Sequence, residues 1–307
     1  MLAFAARHGK ACLVLGLLAG LGLPWLAGWL RPWLPQMITL LLFLTALRIG
    51  PGGAVQSLGT LQRSAGLLVL LQLAVPLGFV GLMAVLNVPW SPLIMAITLV
   101  LSAPSAAGTP NFTILLGHDP APAMRLLILG TAILPLTVLP AFWLLPELGD
   151  ANAVILAALR LVAVIIGAVG VAFAVRYWRW PSMRAETRTA LDGATAIALA
   201  VIVVALMSAI RPALASDPLR LLGWLGAAFA VSFGLQIVTY LGMRATGNAR
   251  DAAPVAIVAG NRNIALFLAA LPPEITAPLL VFIGCYQFPM YLTPVLLGRL
   301  YGPASPH

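Results

Sequence analysis

Residues 258–266 read VAGNRNIAL and lie in the middle of an apolar run that extends from about Ala252 to Leu271. This run is long enough to cross a bilayer as a helix, which takes about 20 residues. Arg262 stands near the centre of the run, where an arginine costs roughly 2.5 to 3.5 kcal/mol on insertion scales. Gly260 precedes the polar triplet and lowers helix propensity there. Because polar groups at this depth face a cavity or protein rather than lipid, the stretch predicts a functional site.

The composition of the chain predicts a polytopic helical membrane protein. Its 307 residues are 62% hydrophobic and only 8% charged, with a mean hydropathy of +1.04, whereas about a quarter of the residues in soluble domains are charged. The net charge of +9 comes from basic residues scattered singly between apolar segments. This pattern indicates membrane topology and argues against a nucleic-acid groove.

Residues that carry enzyme chemistry are sparse in the sequence. Cys12 and Cys285 lie in apolar segments without the spacing of metal ligands. His8, His118 and His307 fall at predicted loops or termini. The sequence therefore predicts no catalytic nucleophile and no metal cluster. We therefore expect a protein that is not an enzyme and that has no cofactor or metal site.

Ten transmembrane spans can be placed along the chain. They cover residues 11–30, 34–50, 64–87, 91–117, 121–145, 153–176, 189–210, 219–242, 252–271 and 275–299. The connections between them are short, and the two longest are predicted from Pro51 to Arg63 and from Tyr177 to Arg188. The sequence thus predicts an all-α polytopic fold that is almost wholly embedded in the bilayer.

The basic residues between the spans predict the orientation of the chain. Twelve of them fall on one side of the membrane: Arg7, Lys10, Arg48, Arg63, Arg125, Arg176, Arg179, Arg184, Arg188, Arg244, Arg250 and Arg299. Only three fall on the other side: Arg31, Arg211 and Arg220. Since cytoplasmic loops carry the excess of Lys and Arg, we predict a multi-pass protein of a cell membrane, with the bacterial inner membrane favoured, and both termini in the cytoplasm.

A recurring pattern of one asparagine and two prolines indicates an internal repeat. The pattern N-x23-P-x4-P begins at Asn111, and N-x25-P-x4-P begins at Asn263. The two copies divide the ten spans into two halves of five helices, residues 1–150 and 151–307. Because five is odd, the second half enters the membrane from the opposite face. The sequence therefore predicts two inverted five-helix repeats within one integral membrane unit.

The fourth and ninth predicted spans are the interrupted ones. Residues 102–111 read SAPSAAGTPN and contain two prolines and a glycine, and each proline removes a helical hydrogen bond. The ninth span is interrupted at Gly260 and the polar triplet that follows it. Matching interruptions in the two halves predict a binding site near the bilayer midplane.

These interrupted segments resemble those of the bile acid:sodium symporter family. The P…G-T-x-N pattern that ends at Asn111 and the G-x-x-N-x-A-L pattern that begins at Gly260 carry the resemblance. Residues 41–47 (LLFLTAL) and 72–76 (QLAVP) also look like helices of that family, so the resemblance covers the whole chain. It implies that broken helices 4 and 9 cross in a core domain, which moves against a panel domain of spans 1, 2, 6 and 7. It also implies organic anion substrates, coupled to sodium.

The sequence departs from that family at the sodium sites. The family has a Glu two residues before the ninth-helix Gly and a Gln immediately before the Asn, where this chain has Val258 and Arg262. The hydroxyl ligands early in the fifth helix fall near residues 123–124 and 127–128, none of which carries a hydroxyl. An arginine among backbone carbonyls acts as a tethered cation and repels sodium. We therefore expect sodium coupling to be lost, and sodium as a bound ion is not favoured.

Eight residues are candidates for substrate binding or for the crossing of the broken helices: Gln72, Ser105, Thr109, Asn111, Asn261, Arg262, Asn263 and Gln287. Two roles are open for Arg262, which either binds carbonyls of the broken helices or holds a substrate carboxylate with its planar fork of donors. Asn111 and Asn263 are expected to bond the backbone of the crossing. Gln72 fits an interhelical hydrogen bond as well as a cavity wall.

The functional hypothesis is a secondary active transporter of a small organic anion that works by alternating access. Its partners would be that anion and the lipid bilayer, with no nucleic acid, and the protein would be a monomer or a weak homodimer. Two alternatives are a non-transporting membrane sensor or binding subunit on the same fold, and a sodium-coupled symporter despite the altered sites.

Overall fold

A computed structural model of the protein describes residues 2–58, 61–180 and 182–302. The side chains of Arg7, Lys10 and Arg63, which enter the charge count above, and residues 303–307 of the predicted cytoplasmic C-terminus lie outside the described part. The described residues form helices and contain no strand. The prediction of an all-α protein is confirmed.

In the first half of the chain the helices are α1 (Leu2–Arg7), α2 (Gly9–Gly22), α3 (Pro24–Leu30), α4 (Leu34–Leu58), α5 (Leu61–Val69), α6 (Val75–Val85), α7 (Pro92–Ser102), α8 (Thr109–Leu115), α9 (Ala121–Thr137) and α10 (Leu139–Trp143). In the second half they are α11 (Ala151–Arg179), α12 (Ala185–Leu206), α13 (Ile210–Ser216), α14 (Pro218–Ala245), α15 (Ala249–Gly260), α16 (Pro273–Thr276), α17 (Leu280–Leu296) and α18 (Gly298–Tyr301). A π-helical segment (Leu70–Ala74) joins α5 to α6, and a 3-10 helix (Ile264–Ala269) follows the end of α15.

Seven helices of the described chain are long and apolar enough to cross a membrane. They are Pro24–Ser57, Ser64–Val85, Ala121–Trp143, Ala151–Arg179, Ala185–Ser216, Pro218–Ala245 and Pro273–Leu296, with short turns of other helix types counted in. The predicted fourth and ninth spans fall instead on shorter pieces, because each contains a break in the helix. The predicted first span breaks at Leu23, and its last part continues through residues 31–33 into the second span, so that the predicted connection between these two spans is wrong. The length and composition of these helices identify a membrane protein.

The two longest predicted connections are shorter than expected. The second span was predicted to end at Gly50, but α4 continues to Leu58 beyond a kink at which Gly50 takes φ 72° and ψ 168°. Glycine adopts this left-handed conformation without a steric penalty, and Pro51 then suits the first turn of the continuing helix because that turn needs no N–H at its start. The other connection comprises only residues 180–184, since α11 runs to Arg179 and α12 begins at Ala185.

The chain divides into two compact units. Unit 1 contains Met1–Gln56, Ile155–Leu221 and Ala265–Gly284, and unit 2 contains Ser57–Val154, Leu222–Ile264 and Cys285–His307. Unit 1 thus holds the four spans that the resemblance assigns to a panel domain, together with residues 265–284. The division into inverted repeats at residues 1–150 and 151–307 stays a prediction.

Unit 1 is held together by an apolar cluster and an ion pair. Ala46, Leu47, Ala172 and Leu191 form the buried cluster, which joins α4, α11 and α12. Beside it, the Arg48 guanidinium donates to the Asp192 carboxylate through Nε and, at 3.5 Å, through Nη2. Asp192 is therefore a partner of Arg48, and α4 is fixed against α12.

Unit 2 contains a group of buried residues that we call the apolar layer. Its members come from α5, the π-helical segment, α9 and α15: Leu68, Leu71, Ala123, Leu126, Leu129, Val255, Val258 and Ala259. Burying this apolar surface packs α15 against α9 and the π-helical segment. The layer lies directly beside the interrupted segments.

Candidate functional site

Both predicted interruptions are present in unit 2. The fourth span breaks after α7, where Ala103 is extended (φ −66°, ψ 152°), and resumes as α8 at Thr109. Ala103 precedes Pro104, and the residue before a proline disfavours helical backbone. Pro110 lies in the first turn of α8, where a missing N–H is tolerated. The ninth span breaks at Asn261, which is non-helical (φ −115°, ψ 89°).

The two interrupted segments are paired through their backbones. Ser105 and Arg262 form an antiparallel bridge. The Ala106 N–H donates to the Asn261 carbonyl at 2.8 Å, and the Asn263 N–H donates to the Pro104 carbonyl at 2.8 Å. The extended backbone of one break therefore satisfies the extended backbone of the other, as buried peptide groups require. We call this paired region, residues 103–109 with 260–263, the crossing.

The side chain of Arg262 is buried in the crossing and is only 2% exposed. Its Nε donates to the Ala259 carbonyl at 2.7 Å, Nη1 to the Ala103 carbonyl at 3.0 Å and Nη2 to the Leu71 carbonyl at 3.1 Å. Each nitrogen of the guanidinium thus finds an acceptor, and all three acceptors are backbone carbonyls of different helical segments. The charge is held by peptide oxygens.

The Leu71 carbonyl is free to accept because of the π-helical segment. The Val75 N–H bonds to the Leu70 carbonyl, five residues back. In this register the helical donor for Leu71 would be residue 76, which is Pro76 and has no N–H. The helix therefore leaves this carbonyl without a backbone donor, and Arg262 Nη2 supplies one.

The other two carbonyls belong to helix ends. In a continuing helix the Asn263 N–H would bond to Ala259, but it is bonded to Pro104 instead. Ala103 lies just beyond the last residue of α7. Since α7 and α15 both end here, the partial negative charges of two helix C-termini meet. The backbone thus forms a cation site, which the Arg262 guanidinium occupies.

Gly260 allows α14 and α17 to approach the end of α15. Its carbonyl accepts from the Ser232 hydroxyl at 2.8 Å and from the Tyr286 hydroxyl at 2.7 Å. A Cβ at Gly260 would collide with the Ser232 carbonyl oxygen and would lie 2.9 Å from Gln236 Nε2. Only glycine fits this close approach of two helix backbones.

We expect Gly260→Ala to destabilise the protein by about 1–3 kcal/mol, since the added methyl meets backbone that cannot move aside. Thermal unfolding of the purified protein in detergent measures the effect. Gly226→Ala in α14 is the matched control, because a Cβ there meets open space and alanine is the better helix former. Equal melting temperatures for Gly260→Ala and the wild type would contradict the close approach.

A chain of buried hydrogen bonds links Asn261 to the C-terminal helix α18. Asn261 Nδ2 donates to the Ile257 carbonyl at 2.8 Å, and its Oδ1 lies 3.2 Å from the Thr293 hydroxyl. Gln236 Nε2 donates to Thr293 at 3.1 Å, and the Tyr301 hydroxyl donates to Gln236 Oε1 at 2.8 Å. Asn261 is among the residues predicted from sequence, whereas Thr293 is not. The signal for Thr293 is its position directly before Pro294 in the repeated proline pattern.

Ser105 and Thr109 are buried and bond locally. Their hydroxyl oxygens are 2.7 Å apart, and the Thr109 hydroxyl donates to the Ala106 carbonyl at 2.9 Å. Hydroxyls in apolar helices commonly bond nearby backbone in this way. Both residues therefore lie in the crossing, where they stabilise the turn that leads into α8.

Gln72 links the π-helical segment to α9. Its Nε2 donates to the Gly130 carbonyl at 3.3 Å, and its Oε1 accepts from the Thr137 hydroxyl at 3.2 Å. The residue is buried, so in this conformation it forms the interhelical hydrogen bonds that were one of its two predicted roles. Gln287 is also buried, within α17.

The two asparagines of the repeat pattern do not bond the crossing through their side chains. Asn111 is exposed, because α8 has already begun at Thr109 and carries this side chain outward. Asn263 contributes its backbone N–H to Pro104, and its side chain is only partly buried. The expectation for Asn111 is wrong, and that for Asn263 holds for the backbone alone.

The chain matches no model of a known protein family, and it matches no curated protein. The resemblance to the bile acid:sodium symporter family therefore depends on the sequence patterns around Asn111 and Gly260 and on the two helix segments at residues 41–47 and 72–76. At the two positions that depart from the family's sodium ligands, Val258 belongs to the apolar layer and offers no oxygen from its side chain. Arg262 fills the adjoining carbonyl site with its own charge.

Proposed function

We propose that this protein is a secondary active transporter of a small organic anion, similar to the bile acid:sodium symporter family but without sodium coupling. It would work by alternating access as a multi-pass protein of a cell membrane, with both termini in the cytoplasm. The observation that carries the proposal is the Arg262 guanidinium, which three carbonyls of interrupted helices hold at the crossing. Paired helix interruptions of this kind are typical of the substrate and ion sites of secondary transporters.

A spacing of 157 to 159 residues along the chain supports the ten-helix inverted repeat that the proposal includes. Ser105 and its bridge partner Arg262 are 157 residues apart (262 minus 105). The first residues of α7 and α15 are also 157 apart (249 minus 92), and those of α9 and α17 are 159 apart (280 minus 121). Asn111 and Asn263 are 152 apart (263 minus 111), so they are not the equivalent pair that the sequence pattern indicated.

The fixed charge of Arg262 is the reason to propose that sodium is not needed. A sodium ion at these carbonyls would have to lie within a few ångströms of the guanidinium, and like charges at that distance repel by several kcal/mol at low effective dielectric. The arginine also supplies the hydrogen-bond donors that the carbonyls need when no ion is bound. The Arg262 guanidinium therefore gives the crossing a permanent positive charge, as a bound sodium ion would.

Ligand binding measured with and without sodium tests the proposal. The purified protein is screened by thermal shift against small carboxylates, and each carboxylate that stabilises it is assayed for uptake into proteoliposomes. We expect the binding affinity and the uptake rate to be unchanged when choline replaces sodium. A clear sodium dependence of either one would contradict the loss of coupling. Binding without uptake would favour the non-transporting sensor or binding subunit instead.

A further inference from the structure

Unit 2 contains a cavity of about 530 Å³ that includes none of the residues of the crossing. Its walls come from the beginning of α5, the beginning of α9, the turn between α14 and α15, and the first turns of α15. This volume lies in the range of small-molecule sites. The cavity is therefore large enough for a ligand, and its lining decides which kind.

Two arginines in the lining have no counter-ion among the side chains that the structure describes. Arg125 is partly buried and Arg250 is exposed, and neither forms an ion pair or hydrogen bond with another described side chain. Both therefore keep all of their side-chain donors for a ligand. Guanidinium groups bind carboxylate and phosphate oxygens through paired hydrogen bonds.

The two aspartates of the lining are each placed at the positive end of a helix. Asp119 caps α9, where its Oδ1 accepts from the Ala121 N–H at 2.9 Å, and Asp251 lies in the first turn of α15. A helix N-terminus carries roughly half a positive charge. The charges of the two arginines and the two aspartates cancel. The two helix N-termini then leave about one net positive charge in the cavity. This balance fits a monoanion.

The remaining wall of the cavity is apolar. Leu67 and Met243 line it together with Leu126 and Val255, and the last two also belong to the apolar layer. On its other side that layer reaches Leu71 and Ala259, whose carbonyls bind Arg262. The apolar layer therefore separates the cavity from the crossing, so that the cavity is a site of its own.

We propose that this cavity binds a small amphipathic monoanion, with its oxyanion group on Arg125 and Arg250 and its apolar part on Leu126 and Val255. The inference does not depend on transport, because it rests only on the lining of the cavity. The same chemistry is offered by a free carboxylic acid and by the phosphate and acyl groups of an acidic phospholipid, and the two sources are distinguished by experiment.

The test uses the delipidated protein in neutral detergent. Hexanoate binding is measured by isothermal titration calorimetry, and retention of added phosphatidylglycerol is measured by native mass spectrometry. Arg125→Gln and Arg250→Gln should each weaken binding about tenfold or more, as the loss of a hydrogen bond to a charged group does. Arg299→Gln is the matched control, because Arg299 is exposed in the same unit and does not line the cavity. Hexylammonium is the control for charge.

Loss of hexanoate binding in the two cavity variants, with binding kept in Arg299→Gln, supports a free carboxylate as the ligand. Loss of phosphatidylglycerol retention in the same two variants supports a lipid source. The proposal is overturned if neither probe binds, if hexylammonium binds as well as hexanoate, or if the cavity variants bind like the wild type. Thermal unfolding of each variant shows that a lost signal reflects the site and not the fold.

Discussion

Replacing Arg262 with alanine is expected to lower the free energy of unfolding by about 3 kcal/mol or more. The change leaves three buried carbonyls, those of Leu71, Ala103 and Ala259, without their donor, and each unsatisfied group costs about 1–3 kcal/mol. The relief from desolvating the guanidinium offsets part of that loss. For a chain of this size we expect the melting temperature to fall by about 5–10 °C.

Adding a free cation to Arg262→Ala tests whether the lost stability comes from the missing guanidinium charge. Guanidinium at low millimolar concentration should restore part of the lost stability of Arg262→Ala, because it returns the donors to the carbonyl site. The matched control is Arg160→Ala, which removes an exposed arginine from α11 and should neither lower the melting temperature nor respond to guanidinium. If guanidinium has the same small effect on both variants, the carbonyls do not form a cation site.

A second large effect is expected from Val258→Glu combined with Arg262→Gln. The pair removes the fixed cation and places a carboxylate in the apolar layer, directly before Ala259, whose carbonyl belongs to the cation site. A buried carboxylate without a counter-ion is strongly destabilising, so a sodium ion that binds the folded protein becomes stabilising. At ten times its dissociation constant, sodium should add about 1.4 kcal/mol.

The measurement compares melting temperatures in sodium chloride and in choline chloride at equal ionic strength. Wild type should melt at the same temperature in both salts. Val258→Glu alone keeps Arg262 as the counter-ion and should also be insensitive, which controls for the carboxylate. A wild-type protein that is stabilised by sodium would show that Arg262 does not replace the ion, and an insensitive double variant would show that the resemblance to the family's sodium site does not extend to its geometry.

The positions of the helix breaks were predictable because the chemistry that causes them is local. Pro104 constrains Ala103 directly, and the polar triplet after Gly260 cannot continue an apolar span into lipid. The predicted end of the second span at Gly50 coincides with the kink in α4 for the same reason. However, the proline and glycines that follow Gly50 predicted a loop, whereas α4 continues from Pro51 to Leu58.

What the sequence did not reveal depends on contacts between distant segments. Asn111 lies six residues beyond the bridge at Ser105, and whether its side chain meets the crossing depends on the residue at which α8 begins. The two roles open for Arg262 could not be separated from sequence, because its acceptors lie at residues 71, 103 and 259. Thr293 joins the crossing by donating to Asn261 Oδ1, a partner 32 residues away that no local pattern indicates.

The π-helical segment has a consequence for how such a site can arise. A π-bulge is equivalent to one residue inserted into an otherwise continuous α-helix, and each residue turns the helix by about 100°. Deleting one residue between Leu71 and Ala74 would turn the Leu71 carbonyl by about 100° relative to α6 and out of the carbonyl site, although Pro76 would still give it no helical donor. The gain or loss of one codon can thus move this carbonyl oxygen into or out of the cation site without any amino-acid substitution. Cation affinity in this fold can therefore evolve through length changes as well as through substitutions.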